Sequence, residues 1–211
     1  MTNSQKHLDA VYRAQSNEEL AAVYDDWSES YDDDLTALGH GAPTAVIALV
    51  CRHVAPDAGP LLDCGAGTGR LGQWLSWFGY GPITGFDISD GMLAKAQERG
   101  GYAELRKMAL GERLDFPDRS FATAVAAGVF TAQHAPAESF EEICRVVRPG
   151  GQVVFSIRCD EDKGDAYLAK ADELEARGIW RREGECAVYP VFAEVSEKAH
   201  ITNQVLAYRL L

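Results

Sequence analysis

The stretch Leu61-Leu62-Asp63-Cys64-Gly65-Ala66-Gly67-Thr68-Gly69-Arg70-Leu71 constrains this chain more than any other. A short apolar run ends in an acid, three glycines follow at alternate positions, and an amphipathic pattern begins. That order predicts a strand, a tight turn and a helix N-terminus. Glycines let the backbone turn sharply and let a ligand approach it closely. The helix start offers free N–H groups to a carboxylate or a phosphate. A second acid, Asp87, closes the next apolar run, Pro82-Ile83-Thr84-Gly85-Phe86-Asp87. Lying one strand–helix–strand unit downstream of the turn, it is placed to bond ribose hydroxyls.

Strand and helix patterns alternate around this turn. Strands are expected at residues 61–64, 82–86, 103–109, 122–127 and 152–157, and two closing strands at 187–192 and 202–210. Helices are expected at 70–78, 90–99, 137–147 and 165–177. Short links between them imply a mostly parallel sheet covered on both faces. Ahead of this core, residues 1–15 read as a loose or weakly helical lead-in. Ser16 and Glu19 then form a capping box. The helix they open carries Leu20, Val23, Tyr24, Trp27 and Tyr31 on one stripe. Its acids Asp25, Asp26, Glu29, Asp32 and Asp33 read as a solvated face. A second helix is expected over 43–54.

Composition narrows the function by exclusion. The 211 residues carry 20 Lys and Arg against 32 acids, a net charge of −12. Nucleic-acid binding rests on neutralising phosphates, so no nucleic-acid partner is expected. The five cysteines are scattered without a C-x-x-C pair, and the histidines lack metal spacing. Neither a metal site nor a disulfide framework is implied, and a reducing cytoplasm is the expected compartment. No apolar run nears the ~20 residues of a membrane span, and the first residues lack the apolar core of a signal peptide. The expectation is one domain over residues 1–211, as monomer or homodimer. It divides into a helical lid (1–40), a cofactor-binding core (60–158) and closing strands (186–211).

At Leu61 to Gly69 the sequence resembles the class I S-adenosylmethionine-dependent methyltransferases, whose first motif reads apolar-apolar-Asp-x-Gly-x-Gly-x-Gly. A dinucleotide-binding turn spaces its glycines as G-x-G-x-x-G, so the third glycine here comes one residue early. Leu114 to Phe121 is similar to the family's "LPFPDxSFD" segment, and Arg148-Pro149-Gly150-Gly151 to its "LKPGG" turn. Tyr24 to Asp32 is similar to its "YDxWAxxYD" helix. Gly128-Val129-Phe130-Thr131 with His134-Ala135-Pro136 resembles the methyltransferase-like proteins of the Williams–Beuren chromosomal region. The resemblance implies an α/β fold with a doubly wound, mostly parallel, seven-stranded Rossmann-like sheet, helices on both faces and an antiparallel C-terminal strand pair. It implies S-adenosyl-L-methionine as cofactor, S-adenosyl-L-homocysteine as product and a small-molecule methyl acceptor.

The family pattern also assigns roles. Asp63 would bond the cofactor's amino group, and the turn Cys64, Gly65, Ala66, Gly67, Thr68 and Gly69 would line its aminoacyl end. Asp87 would hold the ribose, with Ile88 and Met92 against the adenine. Tyr24, Trp27 and Tyr31 would form a lid over the sulfonium. Gly128, Val129 and Phe130 would wall the pocket, and His134 is the candidate base or acceptor-orienting residue. Two departures stand out. The family's Gly-Asp after the third strand is Ala109-Leu110 here, so adenine recognition falls to backbone near Leu110 and Gly111 and to apolar contact. The Asp that usually follows "SF" is Ala122. Two alternatives stay open at this point: an NAD-dependent oxidoreductase, and a non-catalytic module that holds the cofactor or its product.

Overall fold

The computed structural model describes residues 3–131, 134–160, 162–195 and 198–211. Three helices lead: α1 (Asn3–Val11), α2 (Asn17–Trp27) and α3 (Tyr31–Ala37). Then follow α4 (Ala42–His53), β1 (Leu61–Cys64), α5 (Arg70–Trp77), β2 (Ile83–Asp87), α6 (Asp90–Arg99) and β3 (Glu104–Lys107). The second half runs β4 (Phe121–Phe130), α7 (Ser139–Val146), β5 (Val147–Arg158), α8 (Asp162–Ala176), β6 (Trp180–Glu185), β7 (Tyr189–Pro190) and β8 (Thr202–Leu210). The strands form one sheet in the order β3-β2-β1-β4-β5-β8-β6, with β7 pairing β8. The pairings from β3 to β5 are parallel, and β8 runs antiparallel to its neighbours. The fold is therefore the doubly wound, mostly parallel α/β sheet that the alternation predicts.

The core lies on both faces of the sheet. On one, Val46 and Val50 of α4 and Leu71 and Leu75 of α5 meet Val125, Val154 and Val205. On the other, Phe140 and Ile143 of α7 and Leu174 of α8 meet Phe130, Phe155, Trp180 and Tyr208. Strands buried on both sides read as unbroken apolar runs, which is why β1, β4 and β5 are legible. A third cluster joins Leu8, Val11, Leu20, Trp27 and Leu35 of the leading helices to Val191 and Phe192.

Four expectations need correction. The lead-in is a regular helix, α1, because Leu8 and Val11 bury in that third cluster; residues 1–2 of the expected lid lie outside the described residues. The aromatic stripe is not one helix. Its chain breaks at Ser28, whose hydroxyl donates back to the Asp25 carbonyl at 2.8 Å, and Tyr31 opens α3. Among the described residues the sheet has eight strands, because Trp180–Glu185 adds to the seven expected an edge strand, β6, that buries little beyond Trp180. The strand expected at 187–192 shrinks to Tyr189–Pro190, since Val191 and Phe192 leave the sheet to pack under the leading helices.

Phe140 is fully buried, with its ring 4.4 Å from that of Phe130, 4.7 Å from Phe155 and 5.4 Å from Trp180. Phe140→Ala is expected to lower unfolding free energy by about 3–5 kcal/mol, the usual loss on emptying an aromatic core site. Urea denaturation measures it; a loss below about 1 kcal/mol would contradict this packing.

Candidate functional site

The parallel register sets Cys64 at the end of β1 beside Phe86 of β2. The chain leaving β1 bends over the end of β2, and the Phe86 carbonyl accepts the amides of Gly65 and Ala66, each at 2.9 Å. Gly65 has φ +79, and a Cβ there would sit 2.6 Å from Val129 Cγ2. Gly67 has φ +53 and nothing within 4 Å of an added Cβ, so the turn presents bare backbone to open space. The Gly67 amide donates to Asp87 Oδ2 at 2.8 Å, and the Ser89 amide donates to Asp87 Oδ1 at 3.1 Å. Burial pushes the Asp87 carboxyl up; these amide bonds pull it down.

Above this floor lies a cleft of about 670 Å³. Ile88, Met92, Met108 and Leu110 make an apolar slot, Gly128 and Val129 of β4 form the opposite wall, and Tyr24 and Tyr31 close the top. The Tyr24 hydroxyl is 2.6 Å from His134 Nε2. Desolvation raises the Tyr24 pKa well above the ordinary phenol value, so the hydroxyl keeps its proton.

The helices over the cleft are tied to the core by acids. Asp25 Oδ1 accepts from Ser89 Oγ at 2.6 Å and from the Gly91 amide at 2.8 Å. Desolvation of Asp25 opposes ionisation, but these two bonds together with the Lys107 charge and the Asp90 amide hold the carboxyl below its usual range. Asp32 accepts from Thr68 Oγ1 at 2.7 Å and pairs with Arg99. The reading of these two acids as a solvated face is thus corrected: they meet the start of α6, its last turn and the glycine turn.

The structure brings Tyr24, Tyr31, Gly65, Gly67, Asp87, Ile88, Met92, Leu110, Gly128, Val129 and His134 together around the cleft. Ala66, Thr68 and Gly69 shape the turn without lining the cleft, Cys64 is buried in the core, and Gly111 lies off the lining. Trp27 and Phe130 face a second cavity of about 550 Å³ behind the cleft. Trp27 points there because α2 ends at it and its Nε1 donates to Asp34 Oδ2 at 2.8 Å. Asp63 stays out of the cleft: it is 1% exposed, with Oδ2 accepting from Tyr102 Oη at 2.6 Å. Its Oδ1 has no partner among the described residues. Sequence reasoning missed Asn17 and Leu20, which continue the Tyr24 face back along α2 at spacings of four and three. It also missed Met108, Ala109 and Ala127 at the strand ends.

The second cavity meets the cleft at Tyr24, Tyr31, Gly128 and His134. It is walled by Leu8, Val11, Leu35, Val191 and Phe192, with Tyr12, His40, Thr131, Ser156, Arg158 and Asn203 as its polar lining. Among the described residues no three His, Cys, Asp or Glu side chains cluster as a metal site would need. No described helix is long and apolar enough to cross a membrane.

A crevice outside the carboxyl ends of β1, β2 and β4 defines the class: an open α/β sheet that holds a ligand where its strand order reverses. Residues 62–155 match a family model described as a methyltransferase domain. Over 132 residues the chain is 37% identical to the phosphatidylethanolamine N-methyltransferase of Cereibacter sphaeroides, covering 59% of this chain and 62% of that one. It is 31% identical to the demethylmenaquinone methyltransferase of Clavibacter sepedonicus, covering 65% and 57%. It is 30% identical to the malonyl-[acyl-carrier protein] O-methyltransferase of Methylococcus capsulatus, covering 71% and 51%. The chain thus spans between about half and two thirds of these relatives. Among solved structures, the [4+2]-cyclase SpnF aligns with a TM-score of 0.70 at 18% identity, covering 93% of this chain and 97% of that one. An S-adenosylmethionine-dependent methyltransferase from Mesorhizobium loti aligns at 0.59 and 18%, covering 78% and 98%. At such identities the structures speak for the fold alone. Family model and relatives agree on a class I S-adenosylmethionine-dependent methyltransferase domain over residues 62–155, which implies S-adenosyl-L-methionine as its cofactor.

Burial pushes the Asp63 carboxyl up to about 7, against the lowering effect of its Tyr102 bond. The unfolded chain loses that proton near pH 4. Between the two values the folded state binds more protons, so the stability is present at pH 4 and lost as pH rises through 7. Without added ligand, the protein should lose on the order of 4 kcal/mol relative to Asp63→Asn over that span. Urea unfolding at pH 4 and pH 7.5 reads the difference, and parallel profiles would refute the shift.

Proposed function

We propose that this protein is an S-adenosylmethionine-dependent methyltransferase acting on a small-molecule acceptor, with residues 1–211 as one domain. The observation that carries the reading is the bare backbone at Gly65 and Gly67, latched to Asp87, at the foot of a cleft that shares Tyr24, Tyr31, Gly128 and His134 with a second cavity. The residues present fit the cofactor. An ionised carboxylate has about four lone-pair sites. The Gly67 and Ser89 amides occupy two at Asp87, which leaves sites for ribose hydroxyls. Ile88, Met92, Met108 and Leu110 suit a flat ring; Leu110 stands where the family has an acid, so contact and backbone replace that bond. When bound, the cofactor supplies an electrophilic methyl group on a sulfonium.

The chain's own part is to position and to exclude water. Tyr24 and Tyr31 stand between the two cavities, and their ring faces suit a cation. With Nε2 of His134 bare, the Tyr24 hydroxyl donates to it, and the pair can take a proton from an acceptor at the shared mouth. Relatives named for a phospholipid, a quinone and a carrier-bound malonyl group support non-nucleic-acid acceptors without choosing among them.

Thermal unfolding tests the reading. S-adenosylhomocysteine at 100 times its Kd should stabilise the protein by about 2.7 kcal/mol, and NAD should not. Asp87→Ala should remove the shift. A shift with NAD alone would overturn the assignment, and an unchanged shift in Asp87→Ala would overturn the ribose role.

A further inference from the structure

We propose that the second cavity selects an acceptor without net charge, largely apolar, and bearing a hydroxyl that bonds Thr131. The inference rests on the methyltransferase reading and adds the chemical class of the acceptor. Like small-molecule sites in general, the second cavity is a concavity with a few polar groups set in an apolar lining. Its wall is mostly aliphatic and aromatic, and its charges are already balanced. Arg158, 6% exposed, donates through Nε and Nη2 to both Asp160 oxygens at 2.9 and 2.6 Å, and through Nη1 to Tyr12 Oη at 2.9 Å. His40 is kept neutral, because desolvation drops its pKa to about 4. His134 is engaged by Tyr24. An ionised acceptor would enter with no counter-charge in the described wall, and burying an unpaired ion is strongly unfavourable.

The hydroxyl follows from a separate observation. Thr131 lines this cavity and is 7% exposed, and its Oγ1, itself buried, has no hydrogen-bond partner among the described residues. A hydroxyl can both donate and accept, so an acceptor hydroxyl pairs with Thr131 in either direction.

The test uses four probes on the full chain with saturating S-adenosylhomocysteine at pH 7: 2-naphthol, 2-naphthoate, 2-naphthylmethylammonium and naphthalene. Calorimetry first measures S-adenosylhomocysteine binding; its absence would overturn the underlying reading. With that ligand bound, 2-naphthol is expected to bind at least tenfold tighter than either ion. Thr131→Val should weaken it three- to tenfold while leaving naphthalene unchanged, and Thr131→Ser should restore it. Equal or tighter binding of either ion, or no binding of any probe, would overturn the acceptor class. Unaltered 2-naphthol affinity in Thr131→Val would overturn the hydroxyl contact.

Discussion

The carboxylate of Asp87 is the tie on which the rest of the site depends. Parallel pairing of β1 and β2 leaves two chain ends side by side with unpaired amides, and one buried acid takes an amide from each. The Phe86 carbonyl takes two more from the turn after β1. Together these bonds fix the floor of the cleft and the points from which α5 and α6 depart. Burial disfavours the charge, but amides near two helix starts are where a negative group is best tolerated. The latch therefore holds the Asp87 carboxyl at the floor of the cleft.

A second layer of bonds hangs the leading helices on that floor. Ser89 illustrates the coupling: its amide serves Asp87, while its hydroxyl accepts the Met92 amide at the start of α6 and donates to Asp25 of α2. The position of α2 over the cleft is thus set by the same residue that starts α6. Asp32 repeats the arrangement at Thr68 and Arg99. Exposed pairs of this kind add little to global stability. Their effect is geometric: they seat Tyr24 and Tyr31 at the boundary between the cleft and the second cavity, and they let the break at Ser28 turn Trp27 toward the latter.

Much of this architecture is legible in the residues. The glycine turn, Asp87, the Ser16 and Ser89 caps and the strands buried on both faces all announce themselves, because each satisfies a local rule of sterics or hydrogen bonding. What escapes reading are elements whose partner is distant. β6 is polar along most of its length and is a strand because β8 lies beside it and Trp180 finds Phe155 and Tyr208. Val191 and Phe192 look like strand residues and serve the helical cluster instead. Asp25 and Asp32 look like solvent-facing acids until the donors of α6 and the glycine turn arrive.

The same division runs through the site. Local sequence alone determined where the backbone would bend and which acid would follow one unit later. Those outcomes depend on dihedral freedom and on spacing within a few turns of chain. Only the tertiary structure decided that Asp63 withdraws behind Tyr102, that Trp27 and Phe130 serve the second cavity, and that Tyr24 meets His134 110 residues later. Burial and long-range pairing are properties of what packs against a residue, and no window of sequence contains both partners.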